Sequence, residues 1–184
     1  MKRSISILFV ILMLVAAYMT QGCAMYDVAV EERNVSTYSG DKKISFLIEE
    51  KFLDDNTVKF LDFDAYTYEG HVYLIGEYES HTQVERAVKI AKGVKGVKTV
   101  TTYFMPKKVG DHCGTTDNLS ISSTLRKDLI ADGDIWSTNI DIEMIQCHVV
   151  LLGIVGSAKE RDKAIAHAKS IEGVRGVKSY IKVR

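Results

Sequence analysis

Shifted by 77 residues, the C-terminal half of this 184-residue chain lies on the N-terminal half without a gap. Ile44 falls on Ile121, Asp55 on Asp132, Asp64 on Asp141 and His71 on His148. The match continues through Val72/Val149, Leu74/Leu151, Gly76/Gly153, Ser80/Ser157, Ala87/Ala164 and Ala91/Ala168, and closes with Gly96/Gly173, Val97/Val174 and Tyr103/Tyr180. An ungapped repeat of this kind means one small domain used twice. A more conspicuous echo, Gly93-x-x-Gly96 against Gly173-x-x-Gly176, is out of register, because Gly93 pairs with Ser170 and Gly176 with Thr99. Only Gly96-Val97 and Gly173-Val174 correspond, as a joint between a helix and a buried strand rather than a phosphate cradle.

Each copy reads the same way. Ile44, Ile48 and Phe52, with Ile121, Leu125 and Leu129, recur every four residues and mark one face of an amphipathic helix. Asp41 and Asn118 have the chemistry of N-caps. Two β-rich runs follow, 61–68 with 71–78 and 140–146 with 148–155. Glu69-Gly70 supplies a hairpin turn in the first copy; Gln146-Cys147, in the second, is chemically weaker there. Ser80 and Ser157 precede a second helix whose inward residues are Val84, Ala87, Val88 and Ala91, and Ala164, Ile165 and Ala168. A last strand is expected over 97–105 and 174–183. The order is α-β-β-α-β, an α+β fold in which each small three-stranded sheet is covered by two helices.

The first residues are of another kind. Lys2 and Arg3 precede an unbroken apolar run from Ile7 to Ala17, too short to span a bilayer and suited to a signal-peptide core. Thr20-Gln21-Gly22-Cys23 then resembles a bacterial lipobox, departing from the usual pattern at Thr20, where Leu is normal. The expected organisation is a lipoprotein signal peptide over 1–22, an acylated tether over 23–40 beginning at Cys23, domains over 41–105 and 118–184, and a linker over 106–117. The competing reading is an uncleaved signal anchor with an incidental cysteine. Processing at Cys23 would leave 22 basic and 24 acidic side chains. Several acyl chains, at ~0.8 kcal/mol per buried CH₂, would make the anchor effectively permanent.

The α-β-β-α-β order, Val-x-Leu-x-Gly in the middle strand (Val72, Leu74, Gly76; Val149, Leu151, Gly153), the Ala-x-x-x-Ala helix and Gly-Val-x-x-Val before the last strand together resemble the BON domain. Two such domains behind a lipobox resemble the dual-BON outer-membrane lipoproteins. That resemblance implies a non-enzymatic protein on the periplasmic face of the outer membrane, binding anionic phospholipid chiefly through its second BON domain and supporting envelope integrity. Ala24, where Asp would retain a lipoprotein at the inner membrane, fits that destination. The alternative is an adaptor whose BON folds dock envelope proteins.

Charge distinguishes the copies. Residues 41–105 hold nine Lys/Arg against eleven Asp/Glu, whereas 120–184 hold ten against eight, so the second copy suits an anionic surface better. Leu119, Ile135 and Trp136 flank the first helix of that copy beside Arg126 and Lys127, and an indole among basic residues suits a bilayer interface. Trp136 has Lys59 as its counterpart, so the shared core does not require it; it reads equally as a cap on a hydrophobic loop. Position 120 of the family's lipid-binding region is a small Ser here. Cys113 and Cys147 could pair as a disulfide in an oxidising compartment. His112-Cys113 and Cys147-His148 lack the Cys-x-x-Cys spacing of a zinc site, so no metal or other cofactor is expected. No nucleophile elbow or matched acid–base pair appears, which argues against an enzyme. A nucleic-acid partner through Gly-x-x-Gly is disfavoured by export and by a formal net charge of zero.

Overall fold

The computed structural model describes residues 31–111 and 113–184, of which Glu32–Arg184 form one compact unit. Cys23 and His112 lie outside the described residues. Four helices and six strands follow in the order expected: α1 (Val35–Leu53), β1 (Phe63–Tyr68), β2 (His71–Tyr78), α2 (His81–Lys92), β3 (Thr99–Pro106), then α3 (Thr115–Ala131), β4 (Ile140–Ile145), β5 (His148–Val155), α4 (Ala158–Ser170) and β6 (Gly176–Val183). Each copy builds a three-stranded sheet, β1-β2-β3 and β4-β5-β6. Its first pair is antiparallel and its second parallel, because the crossover helix returns the chain alongside the central strand.

Alternation along the strands separates two faces. Phe63, Ala65, Val72 and Leu74 join Ile44, Ile48, Phe52, Ala87 and Ala91 in one core; Ile140, Val149, Leu151 and Val155 join Ile121, Leu125, Leu129, Ala164 and Ala168 in the other. The opposite faces pack sheet against sheet through Tyr68, Tyr73, Ile75, Ile145, Val150, Leu152 and Ile154. The resulting layers are helices, sheet, sheet, helices, with α1 and α3 in the outer layers on opposite sides.

Two glycines explain the middle-strand motif. A Cβ on Gly76 would lie 2.0 Å from the Asp62 carbonyl oxygen, and one on Gly153 2.0 Å from that of Asn139. A short 3₁₀ turn (Phe60–Asp62; Ser137–Asn139) crosses the central strand at that point and leaves no room for a side chain. The helix-to-strand joint differs from expectation. The last strands begin two residues later, at Thr99 and Gly176, and Gly96 and Gly173 sit in a turn closed by Val97 N–H to Val94 O and Val174 N–H to Ile171 O. Their φ values, +99° and +87°, are the reason for glycine.

The expected caps are corrected as well. Asn34 caps α1, accepting from Thr37 N–H, and α3 starts after Gly114, whose N–H donates to the Asp117 carboxylate. Asp41 and Asn118 lie inside their helices and serve the hairpin turns instead. Asp41 accepts from the backbone N–H groups of Glu69 (2.7 Å) and Gly70 (2.9 Å); Asn118 Oδ1 accepts from Cys147 N–H (3.0 Å). A polar residue three positions before the first core residue can cap a helix or reach across to a turn, and periodicity alone does not separate the two.

Candidate functional site

The N-terminal turns of α2 and α4 fix the loops beside the outer helices. Ser157 accepts from Glu160 N–H, and the buried Glu160 carboxylate accepts from Gly156 N–H and from Trp136 N–H (2.8 Å). Ser80 and Gln83 repeat this arrangement in the first copy, where Gln83 binds Glu79 N–H and Asp62. Glu160 therefore holds the backbone that carries the tryptophan. It was not among the expected site residues, although Ser157-x-x-Glu160 is a capping-box signature legible in the sequence.

On α3, Leu119, Arg126 and Ile130 are separated by seven and four residues and share one outward stripe, with Lys127 beside it. Leu119 is 64 % exposed, Ile130 66 % and Trp136, in the loop after the helix, 52 %. Arg126 and Lys127 are exposed, and among the described residues no carboxylate pairs with either. The other basic side chains near this loop are neutralised: Lys163 reaches Asp132 and Asp134 at 2.6 and 2.8 Å, Lys159 reaches Asp134, and His167 Nε2 lies 2.9 Å from Asp132. The Asp132 carboxyl is held well below the usual range, first by Lys163 and then by His167.

Ile135 is a correction. It is only 8 % exposed and packs in the second core with Ile121, Leu125 and Leu129. Its N–H returns to the Asp132 carbonyl, and that turn directs the side chain inward while the next residue, Trp136, stays at the surface. The apolar neighbour that does share the stripe is Ile130.

The sulfurs of Cys113 and Cys147 lie at bonding distance, with Cα atoms 5.8 Å apart. This link fastens the segment before α3 to the β4–β5 turn, where Gln146 (φ 48°) and Cys147 (φ 59°) both occupy the left-handed region. Arg175 N–H donates to Cys147 O, and Arg175 pairs with Asp111 in the same segment at 2.7 Å. The first copy holds its turn differently. Arg33, 7 % exposed, bridges Asp41 (2.8 Å) and the Thr67 carbonyl (3.1 Å), with its guanidinium against the rings of Tyr38 and Tyr68.

Between the sheets, Tyr66 donates to Glu143 at 2.6 Å, Tyr68 donates to Asp141, and the Tyr73 and Tyr180 rings meet at 4.9 Å. Burial, then the neighbouring carboxylates, push both the Tyr66 and Tyr68 phenols well up, so they stay protonated donors. The Asp64 carboxyl is pushed up to about 7, first by loss of water and then by Glu143 and Glu49. A cleft of about 240 Å³ beside this seam is lined by Lys42, Phe46, Glu49, Tyr66 and Asp141 among others. Among the described residues no helix is long and apolar enough to cross a membrane.

The BON domain model matches residues 40–104 and 117–184. The chain is 31 % identical over 152 residues to "Osmotically-inducible protein Y" of Escherichia coli, covering 82 % of this chain and 76 % of that protein. It is 26 % identical over 170 residues to "Outer membrane lipoprotein DolP" of Haemophilus influenzae, covering 92 % and 86 %. The C-terminal domain of CdsD, a structural protein of the Chlamydia trachomatis type III secretion system, aligns at 13 % identity and a TM-score of 0.32 over 78 % of this chain and 67 % of that one. That likeness is too distant to carry weight.

Proposed function

Given that the chain belongs to the BON domain family and carries two copies of the domain, we propose that it is a non-enzymatic envelope protein binding anionic phospholipid through α3 and the Trp136 loop. It would do so as a lipoprotein anchored through Cys23 on the periplasmic face of the outer membrane. The observation that carries the reading is the stripe itself: Leu119 and Ile130 stand exposed on one helix face with two cations, Arg126 and Lys127, that no carboxylate among the described residues neutralises. Apolar side chains can enter the headgroup boundary while basic residues beside them meet phosphate, at about 1 kcal/mol each when close to the surface. Trp136 adds an amphipathic ring at that depth. One relative supports the compartment, being named as an outer-membrane lipoprotein and 86 % covered by this chain. The Cys113–Cys147 link suits an oxidising envelope.

Trp136 is the only tryptophan, so its fluorescence reports the event directly. Residues 31–184 are expected to sediment with anionic vesicles and not with neutral ones, with a blue shift of emission. Salt should weaken the binding, since exposed charges are screened within about 10 Å at 0.1 M ionic strength. Arg126→Glu with Lys127→Glu should lower affinity on the order of tenfold or more. Equal binding to both vesicle types, insensitive to salt, would sink the electrostatic reading. Mass spectrometry of the membrane-extracted protein tests the anchor, and an unmodified Met1 would refute it.

A further inference from the structure

We propose that the outward face of α1 is a docking site for the outward face of α3 in a second copy of this chain. The repeat places these two helices at equivalent positions, and their exposed residues have diverged as complements. Where α3 carries the exposed Lys127, α1 carries the exposed Glu50. Where α3 has the small Ser123, α1 has Phe46, 64 % exposed. Leu53, 67 % exposed, stands at the position of Ile130, and Leu61, just beyond the helix, is 91 % exposed. Phe46, Glu50 and Leu53 follow one another at spacings of four and three, so they form one surface stripe. Among the described residues no Lys or Arg forms an ion pair with Glu50.

A single copy cannot bring the two faces together. The sheets pack back to back, so α1 and α3 lie in opposite outer layers. Contact between them must therefore be heterologous, from one copy to the next, and such contacts extend into arrays unless the rotation closes. With the helices antiparallel and Glu50 beside Lys127, Phe46 approaches Ile130, and Leu53 approaches the small side chains of Ser123 and Thr124. The apolar residues supply the attraction, while the charges fix which face meets which. A contact of one helix on another is small, and the association is accordingly weak and transient.

The contact does not depend on the lipid reading, although both use α3. The test is sedimentation velocity on residues 31–184, which contain all three hydrophobic clusters, over a concentration series in lipid-free buffer. Wild type is expected to self-associate with rising concentration. Glu50→Lys and Lys127→Glu, both at exposed positions, should each weaken association about tenfold, with thermal melts confirming an unchanged fold. An equimolar mixture of the two variants should recover wild-type association, because the basic α1 of one then meets the acidic α3 of the other. A wild type that stays monomeric throughout, association indifferent to both charge reversals, or a mixture no stronger than either variant alone would each overturn the proposal. Since no lipid is present, monomeric protein that still binds vesicles removes this inference alone, and self-associating protein that ignores vesicles removes only the lipid reading.

Discussion

The two copies hold the same strained turn by different physics. In the first, Glu69 (φ 54°) and Gly70 (φ 80°) are gripped by Asp41, and Asp41 is itself gripped by the buried Arg33. In the second, neither turn residue is glycine, Asn118 supplies one hydrogen bond where Asp41 supplies two, and the position of Arg33 is Gly110. The Cys113–Cys147 link stands in for the missing ionic clamp. A buried charge network is costly to break and contributes little net stability, whereas a cross-link acts largely by restricting the unfolded chain. The turn is thus a fixed requirement of the fold, and its fastening is free to vary.

The largest effects should fall on what the copies share. Gly76→Ala and Gly153→Ala each force a Cβ into a backbone carbonyl, at a cost of roughly 3–5 kcal/mol or loss of folding. Gly153→Ala should be the worse of the two, because Gly153 also has a φ of +149°. Urea unfolding of the two variants measures both the size and the order.

The different fastenings should come next. Replacing Cys113 and Cys147 together by Ala, or reducing them with a dithiol, is expected to cost about 4 kcal/mol for a separation of 34 residues. Arg33→Ala should cost about 2 kcal/mol, less than usual for a broken buried pair, because Asp41 keeps two backbone N–H donors. Amide hydrogen exchange separates the cases. Reduction should open the turn at Gln146 and Cys147 and spare Glu69 and Gly70, and Arg33→Ala should do the reverse. Equal loosening of both turns under either treatment would mean that the clamps are not local.

The fold was legible because its determinants are periodic and doubled. Ile44, Ile48 and Phe52 are buried as their spacing required, and so are Ile121, Leu125 and Leu129. Asp41 and Asn118 bind turns where caps are expected because capping and turn-binding use the same residue types, and the choice is made by a turn some thirty residues away. Ile135 turns inward against expectation for a similar reason: in a loop, no period says which of two adjacent apolar residues faces in. The seam between the sheets could be sensed only as alternation. Tyr68, Tyr73 and Val150 occupy outward positions of their strands, and only the partner sheet makes them core.

That seam contains the subtlest difference between the copies. Tyr66 meets Glu143 and Tyr68 meets Asp141, a pairing in which residue numbers fall on one strand as they rise on the other. Continued by one step, the same register sets Asp64, the repeat mate of Asp141, opposite Ile145, the repeat mate of Tyr68. The hydroxyl that Asp141 receives is therefore missing for Asp64, whose neighbouring charges are Glu143 and Glu49 instead. Its carboxyl keeps its proton up to about pH 7, while in the unfolded chain it loses it near 4. Between those values the folded protein binds more protons than the unfolded one, so stability falls as pH rises from 4 to 7 and is flat in this respect above 7. Asp64 loses water around its carboxyl but keeps a surface-exposed edge that screens its charge, so the effect is the smallest considered. Asp64→Asn should leave stability unchanged near pH 4 and raise it modestly at pH 8. Thermal melts of both proteins across that range decide the matter: parallel curves would show that Asp64 ionises freely and that the seam does not feel its charge.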